Sequence, residues 1–181
     1  MSKIDRRILK SKQAIRVAFV NLLMERGFDE ITIKDIAEQA DIARKTFYLH
    51  YLDKFDLLEQ LVDEHLSELR IICDQKQEKE LIEGTIIWFN YFDARKDFFK
   101  ALFKSNSTLS FRKKLLDFTM GELKKKIYPL SDSNKMIDQE ILLKFLGIAV
   151  MGIIESFVLE EINGDTAIVA QQVGKLVQRN I

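Results

Sequence analysis

Arg44, Lys45, Thr46 and Tyr48 stand within five consecutive positions of a 181-residue chain. Guanidinium and ammonium groups reach guanine edges or phosphates, and Thr and Tyr hydroxyls fix phosphates. Such a set suits recognition of a polyanion better than turnover of a substrate. Other reactive groups are sparse: His50 and His65 are the histidines and Cys73 the single cysteine. A di-metal helical bundle wants Glu three residues before each His, and Phe47 and Val62 occupy those positions. There is no Gly-rich phosphate loop, no G-x-S-x-G and no His pair at metal spacing. The chain is therefore read as no enzyme, with no catalytic residue, no metal and no cofactor. His65, between Glu64 and Glu68, reads as solvated helix surface. Cys73 reads as a buried inert thiol, with a redox sensor as the alternative.

The four donors need a scaffold that turns them outward. Ile8, Leu9, Ile15, Ala18, Phe19, Leu22 and Leu23 recur at three-and-four spacing, which predicts a helix from near Asp5 to Arg26, stopped by Gly27. Thr32 is a good N-cap with Asp35 three residues on, and Ile33, Ile36, Ala37 and Ala40 form the stripe of a second, two-turn helix. The chain breaks at Asp41-Ile42 and restarts at Ala43 for a short helix to Tyr48. Phe47 then points inward, while Arg44, Lys45 and Tyr48 share an outer face. Asp41 tolerates the left-handed conformation the turn requires. Two short helices across a tight turn make a helix-turn-helix. Asp53 caps the next helix, whose first residue, Lys54, would point toward the same DNA backbone.

These residues carry a specific resemblance. Thr32-Ile33-Lys34-Asp35-Ile36-Ala37-Glu38-Gln39-Ala40, then Arg44-Lys45-Thr46-Phe47-Tyr48, His50-Tyr51, Asp53-Lys54 and Leu57-Leu58 resemble the DNA-binding domain of TetR-type transcriptional regulators over residues ~8–60. The pattern departs in two places, with Asp41 where glycine is usual and Ala43 where serine is common. The resemblance implies that Arg44, Lys45 and Tyr48 enter or border the major groove, and that Thr32, Thr46, His50 and Lys54 clamp phosphates. Phe47, Ile36, Ala37, Ile42 and Leu58 would be core, with Tyr51 either packed or against the DNA backbone.

Beyond this, helical patterns run over Lys54 to about Asp74, Leu81–Asp93, Lys96–Ser105, Ser110–Ile127, Ile137–Ile162 and Asp165–Arg179, with breaks at Asp93-Ala94-Arg95, Ser105-Asn106-Ser107, Pro129 through Asn134 and Asn163-Gly164. Thr85–Phe92 has strand-like content, but a lone strand would have no partner. The fold expected is all-α, about nine helices: a three-helix DNA-binding domain at 1–53 and an effector-binding and dimerisation bundle at 54–181. The resemblance implies pairing through the last two helices, and Gly147, Met151, Ile154, Phe157, Val158, Val169, Val173 and Leu176 are the candidate interface. It also implies an apolar effector cavity among the central helices. Trp88, Phe92, Phe103 and Phe118 are the candidate liners, with Tyr91 or Asn90 as polar contacts. Phe98-Phe99-Lys100-Ala101-Leu102-Phe103 and Gly152-Ile153-Ile154-Glu155 are similar to a Firmicutes-type subgroup of these regulators.

Composition agrees with a globular chain, at 47% hydrophobic and 31% charged, with 28 basic and 28 acidic residues cancelling. A general polyanion binder is disfavoured, so any nucleic-acid site is a local patch. One such patch is evident: residues 1–16 carry Lys3, Arg6, Arg7, Lys10, Lys12 and Arg16 against Asp5 alone, a local charge of +5. The longest apolar run, Phe145–Ile154, is ten residues, against about 20 for a membrane span, so the cytoplasm is the expected location. The function read from all this is a homodimeric regulator, a repressor released from its double-stranded DNA operator by a small-molecule effector. The alternative is a regulator or adaptor, including an activator, whose C-terminal helices bind a protein partner.

Overall fold

A computed structural model describes residues 3–74, 81–127 and 137–181. Among the described residues there are nine α-helices and no strand: α1 (Lys3–Arg26), α2 (Ile33–Gln39), α3 (Arg44–Phe47), α4 (Lys54–Asp74), α5 (Leu81–Asp93), α6 (Lys96–Lys104), α7 (Leu109–Ile127), α8 (Gln139–Val158) and α9 (Thr166–Arg179). A single 3₁₀ turn, Asn106–Thr108, joins α6 to α7. The expected break over Pro129 to Asn134 lies outside the described residues.

Local chemistry sets the element ends. Gly27 closes α1 at φ +80°, its N–H donating to the Leu23 carbonyl at 3.0 Å, and Phe28 folds back edge-on against Phe19. Asp53 starts α4 by accepting from the Phe55 and Asp56 amides at 2.8 and 2.9 Å. The last long helices are shorter than their apolar patterns. Asp138 caps α8 through the Glu140 and Ile141 amides, so the helix begins at Gln139 rather than Ile137. Left-handed Glu160, at φ +64°, ends it before Ile162.

Packing explains two of the helices' compositions. Gly174 lets α9 lie directly on α5, since a Cβ there would stand 2.9 Å from Ile82 Cα. Helix α8 is long and apolar enough to cross a membrane by length and composition. Its Leu142, Leu143, Leu146, Gly147, Val150, Ile154, Phe157 and Val158 are nonetheless buried inside this protein.

The centre of the body is aromatic. Phe99 lies 4.6 Å from Phe92, 5.2 Å from Phe98 and 6.0 Å from Phe111, ring centre to ring centre. His65 belongs to this cluster and not to a solvated surface, which corrects the expectation from its acidic neighbours. Its ring lies 4.7 Å from that of Phe98, and its Nδ1 is 2.7 Å from the Tyr91 oxygen. Tyr91 donates to Glu68 at 2.8 Å, which leaves His65 Nδ1–H to donate to Tyr91. Arg95 lies over the Tyr91 ring and within 3.4 Å of Glu68. Burial lowers the His65 pKa more than Glu68 raises it. The unfolded chain thus takes up this proton before the folded one does. Stability carried by neutral His65 should be lost as pH falls below about 6.5 toward the depressed folded value. The measurement is the melting temperature against pH for wild type and His65→Gln, with the variant expected to show the shallower slope below that value.

Candidate nucleic-acid interface and cavity

The helix-turn-helix is built from local bonds. Thr32 Oγ1 accepts from the Asp35 amide at 3.2 Å and donates to Asp35 Oδ2 at 2.6 Å, while the Thr32 amide donates to the same carboxylate at 2.9 Å. The Thr32 hydroxyl, followed by its amide, holds the Asp35 carboxyl below the usual range. Asp41 makes the turn at φ +52°, the left-handed position expected for it. Ala43 begins α3 with no side-chain cap. Phe47 is fully buried beneath the helix, while Arg44, Lys45 and Tyr48 are exposed and Thr46 is half-buried. Three donor-bearing side chains therefore stand outward on one turn of helix.

The flanking residues take other parts. Lys54 does not project toward a phosphate. Its Nζ donates to the carbonyls of Phe28, Asp29 and Ile31 at 3.0, 3.2 and 2.9 Å and lies 4.6 Å from the Phe28 ring centre. All three ammonium protons are thus spent on the loop between α1 and α2, correcting the expected phosphate clamp. His50 Nε2 lies 2.7 Å from Ser11 Oγ on α1. Burial, then Lys12, pushes the His50 pKa down, so this side chain ties α1 to the end of the recognition turn rather than presenting a cation. Thr32 has committed its hydroxyl proton to Asp35. Tyr51 is packed, at 2% exposure, and burial pushes its phenol up to about 12.

The unit is attached to the body at more than one point. Arg16 on α1 pairs through both guanidinium ends with Glu64 on α4. Asp29 Oδ2, in the loop that Lys54 holds, accepts from Ser105 Oγ at 2.9 Å. Ser107 and then Ser105 draw the Asp29 pKa down. The end of α6 that carries Ser105 is held in turn by Arg112 of α7, which donates to the Phe103 and Ser105 carbonyls. Arg112 also donates to Glu155 of α8 through Nε at 3.3 Å and Nη2 at 2.8 Å. A polar chain therefore runs from α8 through Arg112 and Ser105 to Asp29. Sequence reading missed it because Asp29 and Ser105 are 76 residues apart.

The body contains a cavity of about 330 Å³ bordered by α4, α5, α7, α8 and α9. Its apolar wall includes Ile72, Leu81, Ile87, Trp88, Phe89, Leu123, Val150 and Val177, and its polar groups include Thr85, Thr119, Glu122, Lys125 and Cys73. Of the expected liners Trp88 borders it, whereas Tyr91, Phe92, Phe103 and Phe118 do not, and neither does Asn90. Phe92 is fully buried against Phe99, Phe103 packs on Phe111, and the Tyr91 hydroxyl is spent on Glu68. Phe118 stacks on the Trp88 ring at 5.4 Å, behind the wall. Cys73 accepts from Trp88 Nε1 at 3.0 Å, and burial pushes its thiol up, away from the reactive thiolate.

The expected interface residues are also redistributed. Gly147, Ile154, Phe157, Val158, Val169 and Val173 are buried within the single chain and Met151 is half-buried, whereas Leu176 is 53% exposed. Gly147 faces Met120 and Leu116 of α7, so its close approach serves the monomer core. The apolar side chains that α8 and α9 leave outside are Ile141, Phe145 and Ile148 together with Ile168 and Leu176, each more than half exposed.

Comparison with known proteins places this geometry. Residues 15–61 match the family model described as bacterial regulatory proteins, tetR family, and residues 79–179 match one described as transcriptional regulator C-terminal region. The uncharacterized HTH-type transcriptional regulator YxbF of Bacillus subtilis is 37% identical over 68 residues, 37% of this chain and 18% of that protein. Matched stretches cover between 18% and 53% of the curated relatives' own lengths. A TetR transcriptional regulator from Streptococcus agalactiae 2603V superposes with a TM-score of 0.75 at 24% identity, over 96% of each chain. FadR from Bacillus subtilis, solved in complex with stearoyl-CoA, superposes at 0.62 with 17% identity, over 93% of this chain and 98% of that one.

Proposed function

The chain belongs to the TetR family of bacterial transcriptional regulators, and from that membership we propose that it is a homodimeric repressor that leaves its operator when a small molecule fills the cavity. The observation that carries the DNA reading is the outward set Arg44, Lys45 and Tyr48 over buried Phe47. Residues 1–53 form the reading unit and residues 54–181 the sensing and pairing unit. No catalytic step is assigned, and the place of action is wherever the duplex is, the cytoplasm.

Pairing uses the outer stripe of α8 and α9. Ile141, Phe145, Ile148 and Gly152 recur at helical spacing, so that they share one face, with Ile168 and Leu176 alongside. Leu176 thus remains in the interface and Met151 borders it, while the other expected residues support the helices from behind. The test is selection of duplexes from a random-sequence pool by the full chain. Enriched sequences should show two-fold symmetric half-sites with centres about 34–36 Å apart, one helical turn. Enrichment of single half-sites, or of none, would contradict the reading.

The effector suited to the cavity is a small, largely apolar molecule with one polar end, which Glu122, Lys125 or Thr119 would meet. FadR, of the same fold, was solved with stearoyl-CoA, and an apolar ligand of that general kind suits the lining here. A cavity of this size between the helices favours a small molecule over a protein partner, since the exposed stripe is used in pairing. Release follows if DNA favours one spacing of the two reading units and the ligand favours another, with the ligand's differential affinity for the two spacings setting the response. Gly84 borders the cavity, and a Cβ there meets nothing within 4 Å. Gly84→Leu should therefore fill the space, keep DNA affinity within about twofold and abolish the effector response. Fluorescence of Trp88, the single tryptophan, reports cavity occupancy in the unsubstituted chain.

A further inference from the structure

The inner wall of the cavity has already committed its side-chain hydroxyl and indole protons. Thr119, fully buried on α7, donates its hydroxyl proton to the Leu115 carbonyl at 2.8 Å. Thr85 on α5 donates its own to the Leu81 carbonyl at 2.9 Å. Trp88, one turn further along α5, donates its indole N–H to Cys73 Sγ at 3.0 Å. All three donors border the cavity. A carbonyl can only accept, so its partner fixes the direction of each threonine bond. A hydroxyl has one proton to give and an indole has one N–H.

What the two threonine oxygens retain is acceptor capacity, since each carries lone pairs beside the proton it has spent. Glu122, three residues beyond Thr119 and on the same face of α7, adds a carboxylate that also only accepts. The ammonium groups lie further out. Lys125 and Lys126 are exposed, and Lys125 is held by Glu122 at 2.8 Å and Asp74 at 3.5 Å. Two carboxylates and two ammonium groups at this rim cancel, so net charge draws in neither an anion nor a cation. The inner wall is thus apolar, with acceptors and few donors.

We propose that the ligand of this cavity is a compact apolar molecule bearing an uncharged hydroxyl, an alcohol or a phenol, whose proton goes to Thr119 Oγ1. The assignment rests on the effector reading above and fixes the chemistry of the ligand's polar end. A ketone, ester or ether of the same outline brings acceptors only. It sets lone pair against lone pair, or makes Thr119 give up its bond to Leu115. A carboxylate fares worse, because it also leaves its hydration without gaining an unpaired opposite charge.

The test is calorimetric titration of the full chain with three probes of one outline. They are para-tert-butylphenol, which donates, para-tert-butylanisole, in which a methyl replaces that proton, and para-tert-butylbenzoate, an anion. The phenol should bind about ten- to a hundredfold more tightly than the anisole, and at least about a hundredfold more tightly than the benzoate. Gly84→Leu, which fills the space, should abolish binding of the phenol. Thr119→Val keeps the outline of the side chain and removes its lone pairs. It should bring the phenol down to the affinity of the anisole and leave the anisole unchanged, with a thermal melt checking that the variant is folded.

Anisole or benzoate binding as tightly as the phenol to the wild type would overturn the proposal, a result that needs no variant. Binding of none of the three would overturn it too, as would phenol binding that survives Gly84→Leu or a phenol advantage that survives in folded Thr119→Val. Failure of the effector reading has a separate signature. There the three probes would rank as expected, yet saturating phenol would leave affinity for the selected duplex unchanged, and the hydroxyl preference would stand without a regulatory role.

Discussion

Replacing Arg44 and Lys45 together by alanine is expected to lower affinity for the selected duplex at least about a thousandfold, with base preference relaxed as well. Both side chains are exposed on α3, and neither contributes to the core. Each good base contact is worth about 1–3 kcal/mol of discrimination. Two such residues in each of two protomers place the loss at or above about 4 kcal/mol, where 1.4 kcal/mol is tenfold. Stability should move by no more than about 0.5 kcal/mol, as for exposed positions generally. Titration of wild-type and scrambled duplexes, with a thermal melt of the free protein, separates the two readouts. Retained discrimination would show that another element reads the bases.

Phe99→Ala should produce the largest loss of stability, about 3–5 kcal/mol, as for buried phenylalanines truncated to alanine. Phe99 is 2% exposed and its ring contacts Phe92, Phe98, Phe111, Tyr91 and His65. Those partners come from α4, α5, α6 and α7, so no single helix can collapse into the space left. Against a typical total of about 5–15 kcal/mol, the variant would lose about a fifth or more of its stability. Urea unfolding gives the number directly. A midpoint shift worth less than about 1.5 kcal/mol would mean that the cluster repacks, as volume-conserving exchanges do.

The helices and the recognition turn were legible in the sequence because their causes are local. Gly27, the Thr32–Asp35 pair, left-handed Asp41 and buried Phe47 all act within a few residues, and each stands in the structure as its neighbours dictate. What failed to show was anything set by partners far along the chain. Lys54 carries a charge pattern that suits a phosphate, yet three carbonyls from residues 28, 29 and 31 reach it first. Helix α8 is apolar nearly all round, so periodicity could not say which stripe faces inward. The structure puts Ile154 and Phe157 inside and Phe145 and Ile148 outside. Aromatic spacing likewise located the core but not the void within it. A wall is where several helices fail to meet, and Trp88 borders the gap while Phe92 and Phe103 lie behind the packing.

The join between Asp29 and Ser105 is far weaker than the covalent run into α4. A hydrogen bond to a charged group is worth about 1.5–3 kcal/mol, so this mooring parts well before the covalent one. A rigid piece secured along one side and tethered lightly at another behaves like a gate on a spring latch. Swinging it about the secured side costs that bond and the packing of α1 on α6, while its internal shape stays intact. Because Arg112 grips both the backbone carrying Ser105 and the Glu155 carboxylate on α8, a slight shift of α8 can change the tension on the latch. A ligand that prefers one latch position by only tenfold, about 1.4 kcal/mol, then has enough leverage to decide how the gate stands.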